Sequence, residues 1–233
     1  SGPGRVFIDA VRYLFEDDPV YETDIRRAAK IIEERKRHTL QFFDDIAPRW
    51  DLFKGEILGG FDLNQAIFRD AGKHRVGVDL GCGTGDLLEP LKNHADKVIG
   101  VDSSPRMLEE ARKRFQNANG NIDIRLGEIE HLPLSDAEAD LAVISLVLQY
   151  LAKPEAAIAE VSRVLEADGL FIMADFDKHD NPALQDTYGA RWLGFSKKEV
   201  ENWLTANGFS IQRTDSYELA AGLPLNIYHA VKN

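Results

Sequence analysis

Two short apolar runs in this 233-residue chain each end in an aspartate, and the first is followed at once by glycines at alternate positions. Val76-Gly77-Val78-Asp79 leads into Leu80-Gly81-Cys82-Gly83-Thr84-Gly85-Asp86, and Lys97-Val98-Ile99-Gly100-Val101-Asp102 closes roughly twenty residues later. An apolar run closed by a glycine-rich turn, with Leu87, Leu88 and Leu91 in helical spacing beyond it, is how a strand feeds a loop and then a helix in a nucleotide-binding α/β unit. The glycines permit a tight turn and leave bare main chain against which a ligand can lie. A dinucleotide fingerprint would be Gly-x-Gly-x-x-Gly with a pyrophosphate at the helix N-terminus. Here the third glycine comes one residue early, at Gly85, and Asp86 stands in its place. With Asp79 as a second carboxylate beside the loop, a pyrophosphate would be repelled, whereas a ligand carrying ammonium and sulfonium charge is suited to it. Asp102 is spaced to accept hydrogen bonds from both hydroxyls of a ribose.

Val78 to Gly85, then Gly100-Val101-Asp102-Ser103-Ser104-Pro105-Arg106-Met107-Leu108, then Gly127-Glu128-Ile129-Glu130-His131-Leu132-Pro133-Leu134, resemble the successive motifs of class I S-adenosylmethionine-dependent methyltransferases, in the type 11 group. The resemblance implies S-adenosyl-L-methionine as cofactor and S-adenosyl-L-homocysteine as product. It puts the methionine portion along Gly81, Cys82 and Gly83 with Asp79 at the amine, the ribose at Asp102 and Ser103, and the adenine by Met107, Glu128 and Ile129. Ser145 opens the fourth motif, Ser145-Leu146-Val147-Leu148-Gln149-Tyr150-Leu151, which in the family faces the donor methyl. Met107 also reads as core, and strand-end acids such as Asp79 and Asp102 also cap loops.

Gln41 to Asp51 resembles the segment that lies over the cofactor in many of these enzymes, which makes Phe43 and Trp50 pocket candidates with Gln149 and Tyr150; packing of the helix onto the core explains Phe43 and Trp50 equally. Many relatives carry histidine where Gln149 stands, and an amide cannot take a proton at neutral pH. His179, just after the fifth strand, is the residue best placed for a general base, although a lone loop histidine also serves as a surface or capping residue. The expected function is methyl transfer to a small-molecule acceptor. A non-catalytic S-adenosylmethionine sensor is the alternative, and a nicotinamide oxidoreductase is opposed by Asp86 and the loop spacing.

More narrowly, Phe42-Phe43-Asp44 with Trp50-Asp51, and Asp175 to Asp180 with Trp192-Leu193-Gly194-Phe195, resemble methyltransferases commonly fused behind an ArsR-type winged-helix repressor domain. No winged helix fits in the first twenty residues, so the chain is expected to be either a stand-alone relative or a trimmed one, and a regulatory role cannot simply be carried over. A metalloid substrate does not follow either, because several cysteines would be expected to hold it.

Composition sets bounds on the reading. A net charge of -11 argues against a nucleic-acid backbone as partner. The single cysteine, Cys82, excludes an internal disulfide and a multi-thiolate metal site, and no metal is expected. No apolar run reaches membrane-spanning length and the start lacks a signal-peptide pattern, so no membrane partner and a cytoplasmic location are expected. Ser1-Gly2-Pro3-Gly4 resembles an expression scar or a trimmed start.

These residues need a frame, and the pattern supplies one. Val6 to Phe15 reads as a short helix stopped by Asp17-Asp18-Pro19. From Asp24, Ile25, Ala29, Ile32, Leu40, Phe43 and Ile46 fall at helical intervals in a long amphipathic helix ended by Pro48, whose apolar face can cover its own core or that of a second copy in a homodimer. Ile57 to Ala71 reads as a further helical stretch. Residues 1–71 are thus a helical cap segment and 72–233 the cofactor-binding domain. Strands and helices then alternate, which implies a Rossmann-like α/β fold: a seven-stranded, mostly parallel sheet with helices on both faces. Ser104-Pro105 is a helix start running to about Gln116, Pro154 to Ala167 is a helix, Gly169 to Asp177 the fifth strand, and Ser196 to Glu199 a capping box. Lys178 to Phe195 breaks the alternation with a long insertion at the ligand-binding edge, and Phe209 to Tyr217 with Leu225 to Val231 close the sheet as a hairpin.

Overall fold

The computed structural model describes residues 19–116, 121–219 and 222–233. The helix expected over Val6 to Phe15 lies outside them. The described residues fall into two compact units, one ending at Thr39 and the other running Leu40–Asn233. Helix α1 (Pro19–Ile46) begins in the first and ends in the second. It is already helical at Pro19, ahead of the expected Asp24. In the first unit Arg27 pairs with Asp24 and Lys30 with Glu34 along the helix, and Ile25, Ile31 and Ile32 are exposed.

The second unit is built on a seven-stranded sheet of order β3-β2-β1-β4-β5-β7-β6. Its strands are β1 (His74–Leu80), β2 (Ala95–Asp102), β3 (Ile122–Leu126), β4 (Ala139–Ser145), β5 (Leu165–Phe176), β6 (Phe209–Glu218) and β7 (Pro224–Lys232). The first five are parallel, and β7 runs antiparallel to both β5 and β6. This is the expected Rossmann-like sheet. Its strand order reverses between β1 and β4, and the crevice outside the carboxyl ends there is where ligands bind in open α/β sheets.

Alternate residues feed two cores. Leu141, Val143, Ile172 and Ala174 face α3 (Leu63–Phe68), α4 (Leu88–Lys92) and α5 (Pro105–Arg114) on one side. Val78, Leu80, Ile99, Ala142, Ile144, Phe171 and Met173 face α6 (Pro154–Val164) and, beyond the short α7 (Ala183–Asp186), α8 (Lys197–Ala206) on the other. A sheet covered on both faces explains why its central strands are nearly all apolar.

Other boundaries also differ from expectation. The stretch Ile57 to Ala71 is two helices, α2 (Trp50–Leu58) and α3, because Gly59 and Gly60 turn left-handed between them. The helix from Pro154 stops at Val164, because Leu165 is extended and pairs with Ala139, so β5 begins there and not at Gly169. Helix α5 ends at Arg114, short of Gln116. Ser104 caps α5 by accepting the Met107 N–H, and the Ser196–Glu199 capping box opens α8, both as expected. Among the described residues no helix is long and apolar enough to cross a membrane.

Candidate active site

The glycine loop is shaped from both ends. The Gly81 and Cys82 N–H groups both donate to the Val101 carbonyl, 2.8 and 3.0 Å away, which folds the loop back over the end of β2. Gly81 sits at φ +79 and Gly83 at φ +53, in the left-handed region that costs L side chains energy. Asp102 then holds the loop from the neighbouring strand: its Oδ2 accepts the Gly83 N–H at 2.9 Å and its Oδ1 the Ser104 N–H at 2.8 Å. Burial raises the Asp102 carboxyl above its usual range, and the N–H groups of Ser104, Gly83 and Ser103 oppose that rise.

Asp79 is 1% exposed, and its Oδ2 has no hydrogen-bond partner. Burial, reinforced by the Asp86 charge and opposed by Lys54, pushes its carboxyl up to about 8. Lys54, only 9% exposed, reaches from α2 to place its Nζ 2.6 Å from Asp86 Oδ2. Neither the residue types nor the spacing in the sequence single out Lys54; its only signal is that it follows Trp50 by one helical turn.

The end of α1 and the start of α2 are tied down beside the loop. Ser104 Oγ donates to Asp44 Oδ1 at 2.6 Å, Thr84 Oγ1 donates to Asp51 Oδ1 at 2.8 Å, and Arg114 pairs with the other Asp51 oxygen. These ties bring Trp50 to Gly83, where a β-carbon would lie 3.5 Å from the indole Nε1 and 3.9 Å from Met107 Sδ. The third motif is brought in by the Gly127 N–H on the Asp102 carbonyl at 3.0 Å, and Ile129 is buried near Gly81, while Glu128 is exposed. Cys82 turns its thiol inward against Gly100, where burial raises it strongly, so this residue offers the site main chain only.

Three of the expected pocket residues, Phe43, Trp50 and Tyr150, form a ring cluster. Phe43 meets Tyr150 edge to face at 4.8 Å and Trp50 at 5.6 Å, and Phe53 meets Tyr188 at 4.3 Å. The insertion after β5 is anchored there, because the Arg191 and Trp192 N–H groups donate to the Gln149 carbonyl at 2.8 and 3.2 Å. Gln149 is 2% exposed with its Oε1 unpartnered, and Ser145 Oγ at the end of β4 is likewise buried without a partner.

His179 is tied to the end of the insertion through its N–H, which donates to the Leu193 carbonyl at 3.0 Å. Its Nδ1 accepts the Asn181 N–H at 3.1 Å, so a neutral ring carries its proton on Nε2, which is buried and unpartnered. Burial lowers its pKa, against the pull of Asp180. In this tautomer His179 offers a hydrogen bond rather than a lone pair.

A family model described as a methyltransferase domain matches residues 78–173. Over 111 residues, 46% of this chain, the sequence is 40% identical to an uncharacterized 37.1 kDa protein in transposon TN4556 of Streptomyces fradiae. That match spans 32% of the Streptomyces protein, about a third of its length. Over 169 residues the chain is 32% identical to the uncharacterized methyltransferase YodH of Bacillus subtilis, covering 69% of this chain and 71% of that one. Among solved structures, a SAM-dependent methyltransferase of Thermotoga maritima, described as a possible histamine N-methyltransferase, has the same fold with a TM-score of 0.67. It is 24% identical, over 84% of this chain and 100% of that one.

Proposed function

The chain belongs to the class I S-adenosylmethionine-dependent methyltransferases, and from that membership we propose that it transfers a methyl group from S-adenosyl-L-methionine to a small-molecule acceptor. The observation that carries the reading is Asp79: a buried carboxyl beside a left-handed glycine turn, with one oxygen that has no hydrogen-bond partner among the described residues. When bound, the cofactor supplies an electrophilic methyl on its sulfonium, which leaves by in-line displacement to give S-adenosyl-L-homocysteine.

The chain's own residues bind, orient and exclude water. Asp79 accepts the methionyl ammonium, with Lys54 and Asp86 balancing the charge around it. The main chain of Gly81, Cys82 and Gly83 carries the methionine portion. Asp102 and Ser103 hold the ribose, Met107, Ile129 and Glu128 surround the adenine, and Ser145 stands beside the methyl. Phe43, Trp50 and Tyr150 wall the acceptor pocket and keep it dry, and Gln149 and His179 orient the acceptor by accepting and donating one hydrogen bond each. The part of the cap segment from Leu40 to Ala71 closes the domain that begins at residue 72.

Calorimetric titration with S-adenosylmethionine, S-adenosylhomocysteine and NADH, on the wild type and Asp102→Ala, tests this. Micromolar binding of both adenosyl compounds, weakened at least roughly tenfold in the variant, with none for NADH, is the expected result. Absence of adenosyl binding overturns it.

A further inference from the structure

We propose that Asp175 is a positioning residue of this site: its buried carboxylate holds the left-handed turn after β4, which packs Val147 against the cofactor loop and presents Gln149 and Tyr150 to the acceptor. The inference rests on the methyltransferase reading for its account of the two ligands, and on the hydrogen bonds around Asp175 for the turn itself.

Asp175 stands at the carboxyl end of β5, one step beyond the Ser145–Ala174 pair that ends the β4–β5 ladder, so its side chain meets the chain as it leaves β4. It is 3% exposed. Its Oδ2 accepts the Leu148 N–H at 2.9 Å and its Oδ1 the Phe176 N–H at 2.8 Å. The turn it holds is unusual. Leu146 adopts φ +58, which a branched side chain avoids, and its N–H is fastened to the Ala174 carbonyl at 2.8 Å. Such a conformation persists only where the surroundings over-determine it, and a charge-assisted bond to the next turn is one such determinant.

The residues after Leu146 bridge the two halves of the site. A β-carbon on Gly81 would strike Val147 Cγ2 at 2.5 Å, so the turn is packed flush against the cofactor loop. Leu148 is buried in the core, and the one-turn helix Leu148–Tyr150 then carries Gln149 and Tyr150 to the ring cluster, where Tyr150 meets Phe43. A relaxed turn would move both sides together.

A neutral asparagine would avoid the cost of burying a charge but would offer the Leu148 and Phe176 N–H groups one acceptor oxygen in place of two. A carboxylate adds sensitivity to pH. Burial pushes Asp175 up to about 7, against the N–H groups of Phe176, Leu148, Gln149 and Val147. The ionisable groups that sense it are Tyr150 on the turn and Tyr228 on β7; burial first, and the Asp175 charge among the other causes, raises both phenols. Protonation turns one acceptor oxygen into a donor and weakens the hold on the turn.

The test follows main-chain and side-chain amides by NMR on the full chain between about pH 5.5 and 9, without any acceptor. The Leu148 amide proton is expected to titrate with a midpoint near 7, the Gln149 side-chain amide to move with the same midpoint, and both responses to vanish in Asp175→Asn. A Leu148 amide that does not shift in the wild type, or a titration that survives in the variant, overturns the proposal. Where the variant does not fold, the wild-type profile decides. Failure of S-adenosylhomocysteine to bind the wild type overturns the cofactor reading instead and leaves the amide titration interpretable.

Discussion

Gly81 and Val147 approach so closely that a β-carbon on the glycine would lie 2.5 Å from one Val147 methyl and 3.1 Å from the other. Gly81→Ala therefore carries two separable costs. The left-handed backbone costs about 1–2 kcal/mol, and overpacking against Val147 about 1–3 kcal/mol more. Thermal unfolding is expected to show a marked drop in Tm for Gly81→Ala and partial recovery in Gly81→Ala/Val147→Ala, where only the backbone cost remains. Equal melting of the single and double variants would mean that the two residues do not meet.

Trp50 is expected to report on ligand binding at the glycine loop. Its indole nitrogen lies by Gly83, whereas Trp192 donates its indole N–H to the Leu151 carbonyl at 2.9 Å and Trp203 packs with Phe195 on α8. Adding S-adenosylhomocysteine is expected to change tryptophan emission in the wild type, Trp192→Phe and Trp203→Phe, and to leave Trp50→Phe unchanged. A response that persists in Trp50→Phe would remove Trp50 from the cofactor site.

The His179 ring makes a different kind of prediction, because its proton position follows from one main-chain donor. With the Asn181 N–H on Nδ1, 15N shifts are expected to report the Nε2-protonated tautomer and a pKa below the ordinary histidine value. His179→Ala is expected to leave S-adenosylhomocysteine affinity within about threefold of wild type. An Nδ1-protonated ring would return His179 to the role of a base.

Much of this arrangement is legible in the sequence because it depends on local rules. A carboxylate at the end of an apolar strand, glycines at alternate positions, and Ser104-Pro105 or Ser196-Glu199 at helix starts declare themselves within a few residues. The features that escape depend on chain segments far apart in sequence. Lys54 reaches Asp86 because α2 is pinned over the loop by Asp51 and Thr84, and Asp175 meets the Leu148 N–H because a turn from the neighbouring strand lands on it. The end of α6 escapes for the same reason: Leu165 suits a helix by propensity, and its pairing with Ala139 decides otherwise. His179 is legible by position, but its tautomer depends on Asn181 folding back over the ring.

The pH dependence of stability tests whether Asp79 meets the cofactor. Its carboxyl, ordinarily near 3.8, stands at about 8 in the folded chain, so between those values the folded protein keeps a proton that the unfolded chain has lost. The associated stability is present below about 4 and is lost as the pH rises through 8. Asp175 acts in the same direction up to about 7. His229 opposes them at lower pH: burial, with Arg213 2.9 Å from its Nε2, lowers it to about 4 from 6.5, so its contribution is present above 6.5 and lost as the pH falls through 4. Above pH 6.5 the carboxyl contributions remain, and Tm of the ligand-free chain is expected to fall from there to about pH 9. Asp79→Asn should flatten most of that fall. Saturating S-adenosylhomocysteine should stabilise the wild type more at pH 9 than at pH 6.5, because its ammonium meets an ionised Asp79, and should lose that difference in the variant. A wild-type melting temperature that does not change across this range would mean Asp79 is already ionised at neutral pH, with a partner that compensates its charge before any cofactor arrives.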